Sequence, residues 1–221
     1  MFVLASKSPR RSELMALTGW SFTVLANPVD ESVMAGETPE VYVRRVSLAK
    51  ALASQMSISK DLISEKFILS CDTAVVYDGK ILGKPMDFAD AIQMLTRLRG
   101  CVHQVYSVVT VIGRADESLH QEMCVTDVRM RRYNLEEMLE YVNSGDPMDK
   151  AGAYAIQNSH FHPVEEFKGC YANVMGLPLC HLTRLMEKLG VRPKENLPEV
   201  CQDYLNYDCP IAQMVIAGES N

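Results

Sequence analysis

Three long β-type runs constrain this chain more than any other feature. KFILSCDTAVVYDGKIL reads as two strands around an Asp78-Gly79 turn, a dipeptide that favours a tight hairpin. CVHQVYSVVTVIGR and LHQEMCVTDVRMRRY are partly alternating runs joined by ADES, which predicts a second antiparallel pair. Upstream, FVLAS and SFTVLAN are short strand candidates around the amphipathic segment PRRSELMALTG, closed by Gly19. Helices are predicted from Thr38-Pro39 to about Met56 and from an Asp87 N-cap to a Gly100 stop. Two more fall over NLEEMLEYVNSG, where Asn134 and Glu137 have capping-box spacing, and over PLCHLTRLMEKLG. Interleaved strands and helices of this kind predict an α/β fold, with a long central mixed sheet flanked by helices. Residues 31–60 and 86–100 are expected to form a helical lobe beside it. DPMDKAGAYAIQ is expected to run from loop into strand, and GCYANVMGLPL to be a loop. The proline-punctuated tail from Val191 is expected to be peripheral.

The totals narrow the function classes. Of 221 residues, 48% are apolar, enough for a substantial core, and the net charge of −6 argues against binding nucleic acid through a basic surface. A polyanionic ligand would need a local basic pocket. No run approaches the roughly 18 apolar residues of a membrane span, and the opening MFVLASKSPRR lacks signal-peptide order. The seven cysteines have neither CxxC nor zinc spacing, which favours reduced structural thiols in a cytoplasmic protein.

Charged groups collect where regular structure breaks. In LASKSPRR, Ser8 fits an N-cap and Pro9 the first helical position, which puts Arg10 and Arg11 in a first turn that ordinarily prefers acids. Two solvated arginines are one explanation. The other is an anion, on which helix N–H groups, the hydroxyls of Ser6 and Ser8 and two guanidiniums would converge. Asp30 and Glu31 leave the second strand. Lys50 sits on a helix, Asp72 interrupts an apolar strand, Lys84 follows the hairpin, and Lys150 and Gln157 flank the small-residue segment. Each has a bland alternative: a backbone-bonded aspartate, a snorkelling or turn lysine, solvated acids, a satisfied amide. His103 reads as structural, and no histidine pair has metal-ligand spacing. Together, cations and carboxylates without a nucleophilic Ser-His pair, GxxxxGK[ST] or GxGxxG suit phosphate chemistry assisted by a divalent ion.

LASKSPRR, CDTAVVYDGKILGKP, DKAGAYAIQ and NVMGLPL, in this order and spacing, resemble the signature segments of the Maf family of nucleoside triphosphate pyrophosphatases. The similarity runs from about Phe2 to Gly190, which implies a domain over 1–190 and a C-terminal extension over 191–221. It also implies a Maf/ITPase-like α/β fold with a cleft between two lobes, and hydrolysis of a nucleoside triphosphate between its α and β phosphates. Mg²⁺ or Mn²⁺ would assist, and the protein would form a homodimer. Position by position, the resemblance places Asp72 on the family's proton acceptor. Ser6, Arg11, Glu31, Lys50 and Lys84 fall on polar positions that handle substrate and metal, with Glu31 and Asp72 on the metal. Arg10, Thr73 and Gln157 fall on positions tied to substrate choice. DKAGAYAIQ is similar to the branch acting on dTTP and UTP, with modified pyrimidine triphosphates as further candidates. The alternatives are a 7-methyl-GTP or non-canonical purine triphosphate pyrophosphatase, and a nucleotide-binding regulator of cell division without turnover. HQVYSVVTVI lacks the Thr-Gly-Val of many members, and AIQN replaces a more usual GIQG.

Overall fold

The computed structural model describes residues 2–58 and 66–219; the last two residues of the 31–60 segment lie outside them. A six-stranded mixed sheet forms the centre. Strands β1 (Phe2–Leu4), β2 (Phe22–Val24), β3 (Phe67–Tyr77), β5 (Val102–Gly113) and β6 (Leu119–Arg129) run in the order β2-β1-β3-β5-β6, and β4 (Lys80–Leu82) pairs β3 as the second arm of the hairpin. β1 is parallel to β2 and β3, and the remaining pairs are antiparallel. Asp78 and Gly79, with φ of 50° and 69°, form the tight turn expected of that dipeptide.

β1 is a topological switch point. Helix α1 (Pro9–Ala16) leads from it to β2, and α2 (Pro39–Ser57) leads from β2 to β3 on β1's other side. In open α/β sheets a crevice forms at the carboxyl end of such a strand. Ala5 still donates to the Leu69 carbonyl at 2.7 Å, after which the chain turns away. β4 does not join β3 until Val75. Between these points β3 is left with an open edge, and this edge carries Asp72 and Thr73.

Side-chain alternation along β3 sends neighbours to opposite faces. On one face, Ala74, Val76 and Val108 pack on Tyr42, Val43 and Val46 of α2. A hydroxyl seam lies beside them: Ser47 Oγ meets Thr110 Oγ1 at 2.7 Å and donates to the Val108 carbonyl at 3.0 Å. On the other face, α1, α5 (Tyr171–Met175) and α6 (Leu179–Lys188) cover Leu69, Cys71, Val109 and Val111. There α3 (Phe88–Leu98) and α4 (Leu135–Asn143) cover Val75, Val105 and Val128. These two clusters meet at Ile156. The expected helical lobe of 31–60 with 86–100 therefore does not form. Both faces of β3 are apolar and each needs its own layer, so α2 and α3 lie on opposite sides.

Three other expectations are corrected. The DPMDKAGAYAIQ segment does not run into a strand. It makes two 3₁₀ turns, Asp146–Asp149 and Ala151–Ala153, with Gly152 and Ala153 left-handed at φ of 70° and 58°. Gly152 donates to the Gly83 carbonyl at 3.0 Å, and a Cβ there would stand 2.9 Å from a Val75 methyl. The NVM portion of GCYANVMGLPL is helical, as α5, which ends on left-handed Gly176. The tail is not peripheral. It forms α7 (Leu197–Leu205) and α8 (Ala212–Ile216), and Leu197 and Cys201 join the core around Trp20, whose Nε1 donates to the Arg192 carbonyl at 2.9 Å. Pro198 does not interrupt α7, because it occupies the first turn, where no intrahelical donor is lost.

Candidate active site

One cavity of about 530 Å³ opens at the split edge of β3, and it is lined by Ser6, Ser8, Arg10, Arg11, Glu31, Lys50, Asp72, Thr73, Lys84, Lys150 and Gln157, while Asp30 stands outside the lining. Asp72 and Thr73 reach it from opposite faces of one strand, which gives the site two halves.

The carboxylate half lies under α2. Lys50 Nζ stands 2.7 Å from Asp72 Oδ1 and 3.0 Å from Glu31 Oε1, so one ammonium joins both acids. Asp72 is 4% exposed, and its Oδ2 is buried without a hydrogen-bond partner among the described residues. Removing Lys50 would strand that carboxylate, which typically costs about 3–5 kcal/mol for a buried pair. Two residues of α2 that the sequence reading passed over hold the Glu31 loop. Tyr42 donates to the Glu31 carbonyl at 3.0 Å. Arg45 grips the Glu37 carboxylate at 2.6 and 2.8 Å and the Ser32 carbonyl at 2.8 Å. Burial, with the charges of Asp72 and Glu31, pushes the Tyr42 phenol up to about 12. Hydrogen bonds from Arg45 and the Met34 amide hold the Glu37 carboxyl down at about 2.

The cation half is built on the start of α1. Pro9 opens the helix as expected, and Ser8 is the N-cap in extended conformation but makes no side-chain capping bond. First-turn N–H groups are therefore left for a ligand. Ser6 Oγ accepts from the Ser8 amide at 3.2 Å, which shapes the turn. Arg11 is fixed at three points: Nε to the Gly176 carbonyl at 2.8 Å, Nη2 to Thr73 Oγ1 at 3.1 Å and Nη1 to Ser6 Oγ at 3.4 Å. Arg10 and exposed Lys84 reach the cavity without an ion pair among the described residues. Gln157 stands exposed at the rim, in a turn closed by the Asn158 amide on the Ala155 carbonyl at 3.1 Å.

Lys150 reaches the cavity already paired. It lines the wall, but its ammonium is engaged by Asp149 Oδ1 at 2.6 Å, Asp146 Oδ1 at 3.1 Å and the Asp146 carbonyl. It fastens its own loop. Asp146 Oδ2 extends this network to Tyr141 at 2.8 Å and Asn158 at 3.2 Å. His103 lies away from the cavity lining as a core histidine, with Nε2 2.8 Å from the Tyr154 hydroxyl and burial lowering it to about 4.

Whether a divalent ion suits this site turns on its donors. Among the described residues, no three His, Cys, Asp or Glu side chains gather so as to hold a metal by themselves. Glu31 and Asp72 do converge, and the orphaned Asp72 Oδ2 has lone pairs to give. That set fits a hard ion bound by one or two carboxylates and completed by phosphate oxygens and water.

A mixed sheet split over a cavity of arginines, lysines and paired acids defines a class: α/β proteins that handle polyanions at a strand's carboxyl end. A family model described as Maf-like protein matches residues 1–189, and the chain belongs to that family. A dTTP/UTP pyrophosphatase of Pseudoalteromonas atlantica is 41% identical over 86% of this chain and 98% of its own length. One of Clostridium perfringens is 41% identical over 86% and 97%, and one of Citrifermentans bemidjiense 40% over 85% and 95%. Among solved structures, the Ham1 protein of Staphylococcus aureus aligns over 93% of this chain and 97% of its own, at 13% identity and a TM-score of 0.42. Residues 190–221 lie beyond the region that the family model matches. No helix among the described residues is long and apolar enough to cross a membrane.

Proposed function

We propose that this protein is a nucleoside triphosphate pyrophosphatase that hydrolyses dTTP and UTP to the nucleoside monophosphate and pyrophosphate. The observation that carries the reading is the single cavity in which Lys50 joins Asp72 to Glu31 opposite the fixed guanidinium of Arg11. Relatives about 40% identical over most of the chain carry the name dTTP/UTP pyrophosphatase.

In this reading the open N-terminus of α1, Ser6 and Arg11 hold the polyphosphate, and Arg10 and Lys84 meet its remaining charge. Water attacks the α phosphorus, the bond from that phosphorus to the α–β bridging oxygen breaks, and pyrophosphate departs with that oxygen. Asp72 takes the proton of the attacking water, and Lys50, 2.7 Å away, keeps the carboxylate oriented. Glu31 and Asp72 would hold Mg²⁺ or Mn²⁺, which when bound supplies charge neutralisation on phosphate and a more acidic water. The Gln157 amide, which offers donors and an acceptor together, reads the pyrimidine edge. The proposal extends to a homodimer in the cytoplasm; all seven cysteines are free and five are buried, which suits a reducing compartment.

A product assay tests it. The protein is incubated with a panel of nucleoside triphosphates and Mg²⁺ or Mn²⁺, with EDTA as control, and monophosphate, pyrophosphate and orthophosphate are resolved. Metal-dependent pyrophosphate release, fastest from dTTP or UTP, is expected. Preference for 7-methyl-GTP would keep the chemistry and overturn the base assignment. Binding without turnover would overturn the enzyme.

A further inference from the structure

Ser107 sits in the middle of β5, fully buried, in the valine-rich run VYSVVTV. A hydroxyl there must find partners or cost stability, and the partners it finds lead to the cavity. Ser107 Oγ donates to the Asn173 carbonyl of α5 at 3.3 Å and meets Thr73 Oγ1 at 2.8 Å. Thr73 Oγ1 in turn accepts from Arg11 Nη2 at 3.1 Å.

One arrangement of the hydrogens makes every link of this chain at once. A carbonyl can only accept, so the single Ser107 hydrogen belongs to Asn173. Thr73 must then give its own hydrogen to Ser107 Oγ. That turns the Thr73 lone pairs toward the guanidinium. The far end is anchored as well: Asn173 Nδ2 donates to the Val105 carbonyl at 3.0 Å and to Thr126 Oγ1 at 2.9 Å. A chain of aligned hydroxyls polarises in one direction, which strengthens each link.

We infer that Ser107 is a positioning residue for Arg11, acting through Thr73: the relay Arg11–Thr73–Ser107–Asn173 holds the guanidinium at the polyphosphate by fixing which way the Thr73 hydroxyl points. The inference rests on the proposed pyrophosphatase reading for what Arg11 binds. Without the Ser107 hydroxyl, the Thr73 hydrogen loses its 2.8 Å partner on β5 and is free to swing away, toward the Cys71 thiol on its own strand or toward the guanidinium it now supports. Arg11 would keep its bonds to Gly176 and Ser6 and lose its alignment. The hydroxyl seam of Ser47, Ser70 and Thr110 on the opposite face offers a contrast, because its bonds run only between α2 and the sheet and touch no cavity residue.

The test is a double-mutant cycle on the full chain. Ser107→Ala is expected to raise KM for dTTP by about three- to ten-fold, the size of one neutral hydrogen bond, with kcat within about twofold. Ser107→Thr, which restores a hydroxyl, is expected to return KM toward the parent. On a Thr73→Val background, Ser107→Ala should add little further, because the intermediate link is already gone. Affinity for inorganic tripolyphosphate, titrated calorimetrically with each variant, should follow the same pattern and needs no turnover. Absence of turnover in the parent would thus sink the enzyme reading while the titration still judged the relay. Loss of thermal stability in Ser107→Ala with KM and tripolyphosphate affinity unchanged would overturn the inference. So would fully additive effects in the cycle.

Discussion

Asp72 and Thr73 are adjacent in the chain and serve opposite halves of the site. Asp72 turns under α2, is almost wholly buried, and pairs with one lysine that also holds Glu31. Thr73 turns under α1 and α5 and helps fix an arginine whose hydrogen bonds go to uncharged acceptors, two hydroxyls and a carbonyl. The carboxylate half is a compact charge cluster of two acids on one lysine, with Asp72 Oδ2 left unpartnered among the described residues. The cation half is preorganised by groups that leave its charge unspent. Period-two alternation at an open strand edge is what lets one dipeptide feed both. The lesson is a division of labour: the carboxylate half should govern the chemical step, and the cation half should govern capture of the polyanion.

The sharpest way to break this contrast is Asp72→Asn. A general base ordinarily supplies ~10²–10⁴-fold in rate, so kcat should fall by about that factor while nucleotide affinity stays near the parent's. Near-normal turnover in a product assay would refute the base. Arg11→Lys should show the opposite signature. A lysine cannot reproduce the fork that reaches Gly176, Thr73 and Ser6 together. KM should rise by about tenfold or more, with a smaller change in kcat, in steady-state kinetics. An equal loss in both variants of kcat and affinity would erase the distinction between halves.

Acid should weaken the fold through two buried histidines outside the cavity lining. His103 and His181 are both buried and lowered to about 4, His103 by burial and His181 by burial and then the Arg184 charge. The unfolded chain takes up protons below about 6.5, whereas these folded histidines wait until about 4. Their contribution is therefore complete above pH 6.5 and is lost as pH falls from there toward 4, by about 2 kcal/mol per histidine between pH 7 and pH 5. Urea unfolding midpoints at those two pH values check it, with His103→Gln expected to flatten the slope. Smallest is Tyr42→Phe, which removes the bond to the Glu31 carbonyl. It should cost about 1 kcal/mol in chemical denaturation, and it should touch kcat more than KM if the halves are separate.

Much of this site was legible because its chemistry violates local habit. Arginines in a helix's first turn, an aspartate in an apolar strand and a lysine between alanine and leucine neighbours each mark a position whose reason lies elsewhere, and all of them reach one cavity. What the sequence could not display is which charges are already spoken for. Lys150 looks as available as Lys84, yet two nearby acids occupy it, and 3₁₀ geometry rather than composition brings them there. Arg11 and Gly176 are 165 positions apart, so no local pattern joins them. NVMGLPL stands out as a segment, but nothing local gives its glycine carbonyl a task. The tail misled for another reason: three prolines suggested irregular chain, while the stripe of Leu197, Cys201 and Leu205 at fourfold spacing already carried an apolar helix face.

The bond from the Gly152 amide to the Gly83 carbonyl ties the segment before Gln157 to the segment carrying Lys84. Those two stretches cannot part without breaking it. In heavy water, this one amide therefore serves as a gauge of the cavity's mouth: its exchange rate counts how often the two walls separate, and a bound polyanion that bridges them should slow that count.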